Sequence, residues 1–468
     1  MTGLTGERMI ASGIVSRADL EQALEHQRLY GGRIGQNLIS MGLVTEQDIA
    51  KVFSFQPLAP ESIEDTGLEM TYLIELTLKH LLILKRFSLK KLADNIKLPL
   101  SVVNQVLDVL RREHAIEIVK GQTSLSTMSY EYVITGGGIK RGGDLLNLNS
   151  YIGPAPVPIE DYRMAVEIQT IKSILVQEED VLKGFSHLVF KDKLIRTVGT
   201  AMSSSKPMFL YGPPGNGKTT IAETIGQLIP GSVYIPHAVL VAGDIISVYD
   251  SVTHQSVQES ENIGQKDERW VRVRRPVILA GGELSMRSLD LNYNPTIKYY
   301  DAPLQMKANN GMLIVDDFGR QLVDPQILLN RWIVPLERRI DYLTLHSGMK
   351  FEIPFDQFTV FATNLDPKKL ADEAFLRRLR YKISIDQPDV DDFREIFKKV
   401  CDNNELEFSS EAFTYLVEQC YQPQKIPFSA CHPRDIVDQI MDEAHYLGHQ
   451  PVMDQASVLR AWKNYVVI

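Results

Sequence analysis

Cysteine is scarce in this chain of 468 residues. Its three cysteines, Cys401, Cys420 and Cys431, form no Cys-x-x-Cys pair. That excludes a zinc ribbon and a disulfide scaffold and points to a reducing compartment. No stretch approaches the roughly eighteen uninterrupted apolar residues that a membrane-spanning helix needs. The opening "MTGLTGERMI" has no basic-then-apolar leader pattern. A cytoplasmic protein without membrane insertion is the expectation. Excess positive charge is also missing. The net charge of −9 argues against global attraction to nucleic acid or to an anionic membrane, and leaves a local basic face open. The ten histidines are scattered, and Cys431-His432 reads as structural. Apolar residues make up 44% and charged residues 23%, values of an ordinary globular protein. At this length two to four domains are expected.

The first segment repeats itself. "LTGERMIASGIVSRADLEQALEHQ" (4–27) recurs as "RIGQNLISMGLVTEQDIAKVFSFQ" (33–56), displaced by 29 positions without a gap. Gly6 matches Gly35, Gly13 matches Gly42, Leu20 matches Ile49 and Gln27 matches Gln56. Each copy reads as two helices. Gly13 and Gly42 suit the left-handed position that ends the first helix. Ser16 with Asp19, and Thr45 with Asp48, read as capping boxes that open the second. Two copies make a small α-helical module over residues 1–58, not a solenoid. The pattern resembles the MshEN-type N-terminal domain of type II secretion and pilus-extension ATPases, which carries two such motifs and binds cyclic di-GMP. By that resemblance Arg33, Gly35, Gln27 and Gln56 are the candidate cyclic-dinucleotide residues. Leu4 stands where the first copy should have its arginine, and leucine offers no hydrogen bonds to guanine or phosphate. A ligand-free docking module is the alternative.

"QPLAPES" breaks the pattern as a linker. "EMTYLIELTLKHLLILKR" then reads as an amphipathic helix. "FSLKKLADNIKLPLSVVNQVLDVLRREHAIEIVKG" reads as short helix, turn, longer helix and strand, with Ser101 as N-cap of the longer helix. "YEYVITGGG" supplies a second strand. Residues 66–145 thereby resemble a winged helix, an α+β unit. From Lys79 to Lys120 nine Lys/Arg stand against four Asp/Glu. DNA contact would use that bias, but Ser101–Leu110 offers only Asn104 and Gln105 to base edges. Contact with protein is the favoured reading and DNA the less favoured one. "LNLNSYIGPAPVPIE", within 146–164, reads as an extended linker.

The stretch "LIVDDFGR" (313–320) poses the main question: a kinase Asp-Phe-Gly, or the strand-end carboxylate of a P-loop ATPase. "MFLYGPPGNGKTTIAETIGQLI" decides it. "GPPGNGKT" fits G-x-x-x-x-G-K-[ST] and lies between an apolar strand and a helical pattern, the context that motif requires. Gly212, Pro213, Pro214, Gly215, Asn216 and Gly217 would wrap phosphate with backbone N–H groups at a helix N-terminus. Lys218 would reach the β- and γ-phosphates of ATP, Thr219 would ligate Mg2+, and Thr220 follows on the helix. The kinase companions, a G-x-G-x-x-G loop and an H-R-D-x-x-x-x-N loop, do not occur. Asp316 is then the second magnesium residue and Asp317 the candidate general base. An aspartate there is a methylene shorter than the usual glutamate, which implies slow turnover. A purely structural Asp317 is the alternative, and Phe318-Gly319 is a coincidence of letters.

"FTVFATNLD" resembles the sensor 1 strand of AAA+ ATPases, with Asn364 at its tip between the two Walker strands. "DEAFLRRLRYKI" resembles their arginine-finger segment, offering Arg377, Arg378 and Arg380, with Arg378 preferred. "HPRDIVDQI" resembles sensor 2, with Arg434 reaching the nucleotide. These elements stand in AAA+ order over residues 165–468. "NRWIVPLERRIDYLTLHSGMKFEIPFDQFTVFATN" resembles the MoxR-like subgroup, in which a helix and hairpin precede sensor 1. "ERWVRVRRPVILAGGEL" would be a β-hairpin of a helix-2-insert type, and Trp270, Tyr299 and Tyr300 would face a pore or, as an alternative, the core. The resemblance implies an α/β P-loop core with a parallel sheet at 165–386, a helical lid at 387–468, and a hexameric ring. It implies a multidomain ATP hydrolase that remodels or regulates an unidentified protein partner. A DNA-binding regulator and a nucleotide-gated scaffold with little turnover are the other readings.

Overall fold

The computed structural model describes residues 10, 14–30, 34–45, 55–120, 130–174, 176–258, 266–370 and 373–465. The first repeat copy contributes a helix Arg17–Tyr30 and the second a helix Ile34–Ser40, joined by a small core of Val15, Leu20, Ala23, Leu38 and Val44. The capping box at Ser16 is formed. Asp19 N donates to Ser16 Oγ at 3.2 Å, and Ser16 N donates to Asp19 Oδ2 at 3.2 Å. Gly42 is left-handed at φ 70° and ends its helix as anticipated. Gly13, Asp48 and most of the second copy's second helix lie outside the described residues.

The next unit runs helix (Met70–Leu84), strand (Arg86–Ser88), helix (Leu89–Ile96), helix (Leu100–Arg112), then a hairpin of Ile116–Lys120 and Glu131–Ile134. The three strands form one antiparallel sheet with Glu131–Ile134 in the middle. Ser101 is not the N-cap of the longer helix. Pro99 holds that place without a side-chain bond, because its fixed φ suits the helix entry. The glycine run 136–138 does not extend the strand but opens a helix, Gly136–Leu148, capped by Thr135. Close packing requires two of the glycines in this helix, Gly138 and Gly142. A Cβ on Gly138 would sit 2.3 Å from the Ala115 carbonyl oxygen, and one on Gly142 3.0 Å from Leu82.

The segment 146–164 is docked rather than extended. Tyr151 and Ala155 are buried, Val157–Pro158 is a strand, and a helix starts at Ile159. The strand joins a mixed five-stranded sheet in the order 292–294, 299–301, 244–247, 238–241, 157–158. "ERWVRVRRPVILAGGEL" is therefore no hairpin. Trp270–Arg274 pairs antiparallel with Ser232–Pro236, and Val277–Ala280 belongs to a different sheet. Trp270 and Tyr300 are buried at 4% and 1% exposure and face no pore, and Tyr299 packs edge-on against Tyr151. Arg269 ties three segments together. It donates to Asp267 and to the carbonyls of Thr66 and Pro156.

The central sheet is parallel throughout. Its strands are β1 (Met208–Tyr211), β2 (Val277–Ala280), β3 (Met312–Val315), β4 (Phe358–Thr363) and β5 (Tyr381–Ser384), in the spatial order β2-β3-β4-β1-β5. β3 and β4 are buried at every position, which is why both read as unbroken apolar runs. Helix α1 (Lys218–Leu228) covers one face through Ile221, Ala222 and Ile225. Helix α2 (Pro325–Arg338) covers the other through Leu328, Leu329 and Trp332. The hairpin Ile340–Thr344/Lys350–Pro354 precedes β4 as expected. A short helix α3 (Glu373–Arg378) precedes β5. The carboxyl end is a helical bundle with an aromatic core of Phe393, Phe397, Phe413, Tyr421 and Trp462, and includes α4 (His432–Leu447). Among the described residues no helix is long and apolar enough to cross a membrane.

Candidate functional site

Adjacent β1 and β4 send their connections in opposite directions, so loops converge at the carboxyl edge of the sheet, where open α/β sheets bind ligands. The loop after β1 needs its glycines. Gly212, Gly215 and Gly217 have φ of 143°, 76° and 82°. A Cβ at Gly212 would lie 2.2 Å from the Ile385 carbonyl oxygen, and one at Gly215 2.6 Å from Cys431 Sγ. Phe190 packs on the same loop, with its ring 3.7 Å from a Cβ built at Gly217.

Lys218 opens α1 and folds back over this loop. Its Nζ donates to the carbonyls of Gly212 at 3.0 Å and Pro213 at 2.7 Å. Burial lowers its pKa from the ordinary value, and Asp316 and Asp317 oppose that shift. The buried ammonium suits an anion, and the two carboxylates beside it suit a cation. Thr219 Oγ1 donates to Asp316 Oδ2 at 2.8 Å, joining α1 to the end of β3. Asp317 N donates to Asp316 Oδ1 at 2.9 Å. Asn364 Nδ2, at the tip of β4, donates to Asp317 Oδ1 at 2.9 Å. β4 lies between β3 and β1, so Asn364 reaches Asp317 from the central position expected for it. Thr219, Asp316, Asp317 and Asn364 thus form one hydrogen-bonded chain, with Lys218 beside it.

Phe318 lies in the core behind the site. Its ring is fully buried, edge-on to Phe209 at 6.1 Å and Phe361 at 5.4 Å. Its backbone is fastened to β4, with Phe318 N donating to the Ala362 carbonyl and Thr363 Oγ1 donating to the Phe318 carbonyl. The phenylalanine is core and the aspartates on its amino side face the site.

The helical bundle touches the loop directly. Asn216, 2% exposed, accepts from Ala430 N at 3.1 Å through Oδ1, and Cys431 N donates to the Gly215 carbonyl at 2.9 Å. Pro214 and Thr220 are exposed, and Pro213 is half-buried. Arg434 lies in the first turn of α4, its side chain 70% exposed and within 3.8 Å of Asp435. Arg378 Nε donates to Glu337 of α2 at 2.5 Å, while the neighbouring Arg377 is exposed. Arg380 is also exposed. The candidate cyclic-dinucleotide residues are described only in part. Gln27 falls within the helix Arg17–Tyr30, Gly35 within Ile34–Ser40, Gln56 is exposed, and Arg33 lies outside the described residues.

A magnesium ion fits the donors present. One hydroxyl and one carboxylate, Thr219 and Asp316, meet at 2.8 Å, and magnesium takes few protein ligands when phosphate oxygens and water complete its shell. Among the described residues there is no cluster of three or more His, Cys, Asp or Glu side chains for another metal. Sequence reasoning missed Gln321 and the bundle segment Ser429–Cys431, since no motif spacing marks either.

No curated protein matches the chain. A family described as a domain of unknown function (DUF8689) matches residues 389–464, the helical bundle. Among solved structures, the chain is similar to NtrX from Brucella abortus in complex with ATP at 14% identity and a TM-score of 0.36, covering 57% of this chain and 54% of that one. The similarity thus spans about half the length of NtrX. Domain III of the Thermotoga maritima replication initiation protein DnaA is similar at 13% identity and a TM-score of 0.34, over 61% and 97% of the two chains. The Thermotoga maritima RuvB Holliday junction branch migration motor is similar at 13% and 0.33, over 62% and 70%.

Proposed function

We propose that the chain is an AAA+ type ATPase that binds MgATP at the carboxyl edge of its parallel sheet and uses hydrolysis to act on a protein partner. The observation that carries this reading is the hydrogen-bonded chain Thr219–Asp316–Asp317–Asn364 closing beside Lys218 and the glycine-rich loop. The strand order supports it, because β4 separates the loop-bearing β1 from the acid-bearing β3.

The roles follow from chemistry. Lys218 and the loop N–H groups hold the phosphates, and Lys218 exchanges its two carbonyl partners for phosphate oxygens. Thr219 and Asp316 hold magnesium, which neutralises charge on the β- and γ-phosphates when bound. Asp317, tethered by Asn364, accepts the proton of the attacking water. Asn216 and the bundle segment 429–431 make the loop sensitive to the position of the helical bundle.

A ring of copies completes the site with an arginine from the neighbour. Arg377, Arg378 and Arg380 are the candidates, with Arg378 preferred, and Arg378 donates to Glu337 of its own chain. A protein partner is favoured over DNA. On the helix Leu100–Arg112, Asp108 faces outward among Asn104, Gln105 and Arg112, and it pairs with Arg111 at 3.4 Å. An acid at the centre of that face repels phosphate.

The test is magnesium-dependent phosphate release by the purified chain. Wild type should turn over ATP, and Asp317→Asn should bind ATP with unchanged affinity while losing turnover. An Asp317→Asn variant with wild-type turnover would remove the base assignment.

A further inference from the structure

The loop after β3 carries an unusual backbone. Asp317 is left-handed at φ 47° and Gly319 at φ 98°. Glycine occupies that region freely, and aspartate only at some cost. Something must hold Asp317 there. Phe318, buried and bonded to β4, fixes one side of the loop. On the other, Arg320 N donates to the Asp317 carbonyl at 2.9 Å, and one side chain spans the loop. Gln321 Nε2 donates to the Asp316 carbonyl at 2.9 Å, and Gln321 Oε1 accepts from Gly319 N at 2.7 Å. Its two partners lie on the 316–317 and 318–319 peptides, on either side of Asp317, and rotation of either peptide breaks one of the two bonds. A carbonyl on one side and an N–H on the other leave only one orientation for the amide.

We propose that Gln321 is the positioning residue of the hydrolytic site, a clasp that holds Asp317 against Asn364 in the geometry needed to receive a proton. This rests on the ATPase reading above. Gln321 touches no reacting atom and acts through the backbone of residues 316–319. Few side chains can replace it. Glutamate keeps the acceptor for Gly319 N and loses the donor to the Asp316 carbonyl, asparagine is a methylene short, and lysine has no acceptor. The phosphate-holding groups, Lys218 and the loop 212–217, follow β1 and open α1, and Lys218 bonds the loop carbonyls, not Gln321. Its loss should therefore separate turnover from binding.

The experiment measures steady-state ATP hydrolysis, MgATP affinity by calorimetry and thermal unfolding for wild type, Gln321→Ala and Gln321→Glu in the full chain. Loosened placement of a reacting group can cost up to about 100-fold, so kcat should fall about 10- to 100-fold in Gln321→Ala. KM, Kd for MgATP and the unfolding midpoint should stay at wild-type values. Gln321→Glu should fall between the two. If Gln321→Ala does not fold, Gln321→Glu, which keeps the bond to Gly319, carries the same comparison. Unchanged kcat, or affinity lost in parallel with kcat, would overturn the proposal. A wild-type chain without turnover overturns the hydrolytic reading and this one together; wild-type turnover with an indifferent Gln321 overturns this one alone.

Discussion

The two ends of the central sheet both carry polar groups and use them in opposite ways. At the amino end, Asp356 is 7% exposed and accepts from Thr170 Oγ1, Ile171 N and Asn310 Nδ2 at 2.7–3.0 Å. Asn309 Nδ2 donates to Tyr162 Oη and the Pro354 carbonyl. Arg275 donates to the carbonyls of Gln169 and Asn310, and burial lowers its pKa to about 10 against the favourable charge of Asp356. The buried amide of Gln357, which finds no partner, is the exception in this group. At the carboxyl end, Asp317 is exposed, Asp316 half-exposed, and Lys218 has only two loop carbonyls to hold. Glycines and one aspartate are kept left-handed there. A polar network whose members satisfy each other is scaffold. One that keeps donors, acceptors and constrained backbone in hand has capacity for a ligand.

Substitutions at the two ends should therefore fail in different currencies. The largest effect is expected for Lys218→Ala, which should reduce MgATP affinity by at least about 100-fold, the scale of losing a charge-assisted contact to phosphate. Its thermal unfolding midpoint should not fall, since the lost group is a desolvated cation. Asp317→Asn should lower turnover by about 10²- to 10⁴-fold at unchanged affinity, as read by phosphate release and calorimetry. Asp356→Ala should do the reverse. Leaving three donors unpaired should destabilise the fold by about 3 kcal/mol or more in denaturant unfolding, while the folded fraction binds ATP normally. A loss of ATP affinity in folded Asp356→Ala would break the distinction between the ends.

The smallest effect is a pH dependence. On the proposed reading protonated Lys218 holds phosphate, and its pKa lies below the ordinary 10.5 because of burial. Affinity should be complete at neutral pH and decline as pH rises through that depressed value, earlier than an ordinary lysine would allow. Lys218→Arg should flatten the alkaline decline, since its guanidinium stays protonated. Calorimetric titrations across alkaline pH read this directly.

Much of the carboxyl end was legible because its elements are local. "GPPGNGKT" carries its own strand and helix, "LIVDD" and "FTVFATN" are unbroken apolar runs ending in polar tips, and all converge as strand ends of one sheet. What was not legible is assembled over long separations. Val157–Pro158 pairs with Val239–Leu240, so a proline-rich stretch that looks like free linker is a strand. Trp270–Arg274 looked like one arm of a hairpin with its neighbour, yet its partner is Ser232–Pro236. Asp356, Asn310 and Arg275 meet although no spacing relates them. The run Gly136–Gly138 misled for a further reason. Glycine normally weakens helices, but at Gly138 it admits the Ala115 carbonyl, which a Cβ would meet at 2.3 Å.

The central claim is that the carboxyl end is a nucleotide site and the amino end is not. Calorimetric titration of MgATP into wild type, Lys218→Ala and Asp356→Ala tests it most directly. The account predicts saturable one-site binding by wild type and by folded Asp356→Ala, and no measurable binding by Lys218→Ala. Equal affinity in wild type and Lys218→Ala, or no binding by wild type, would contradict it.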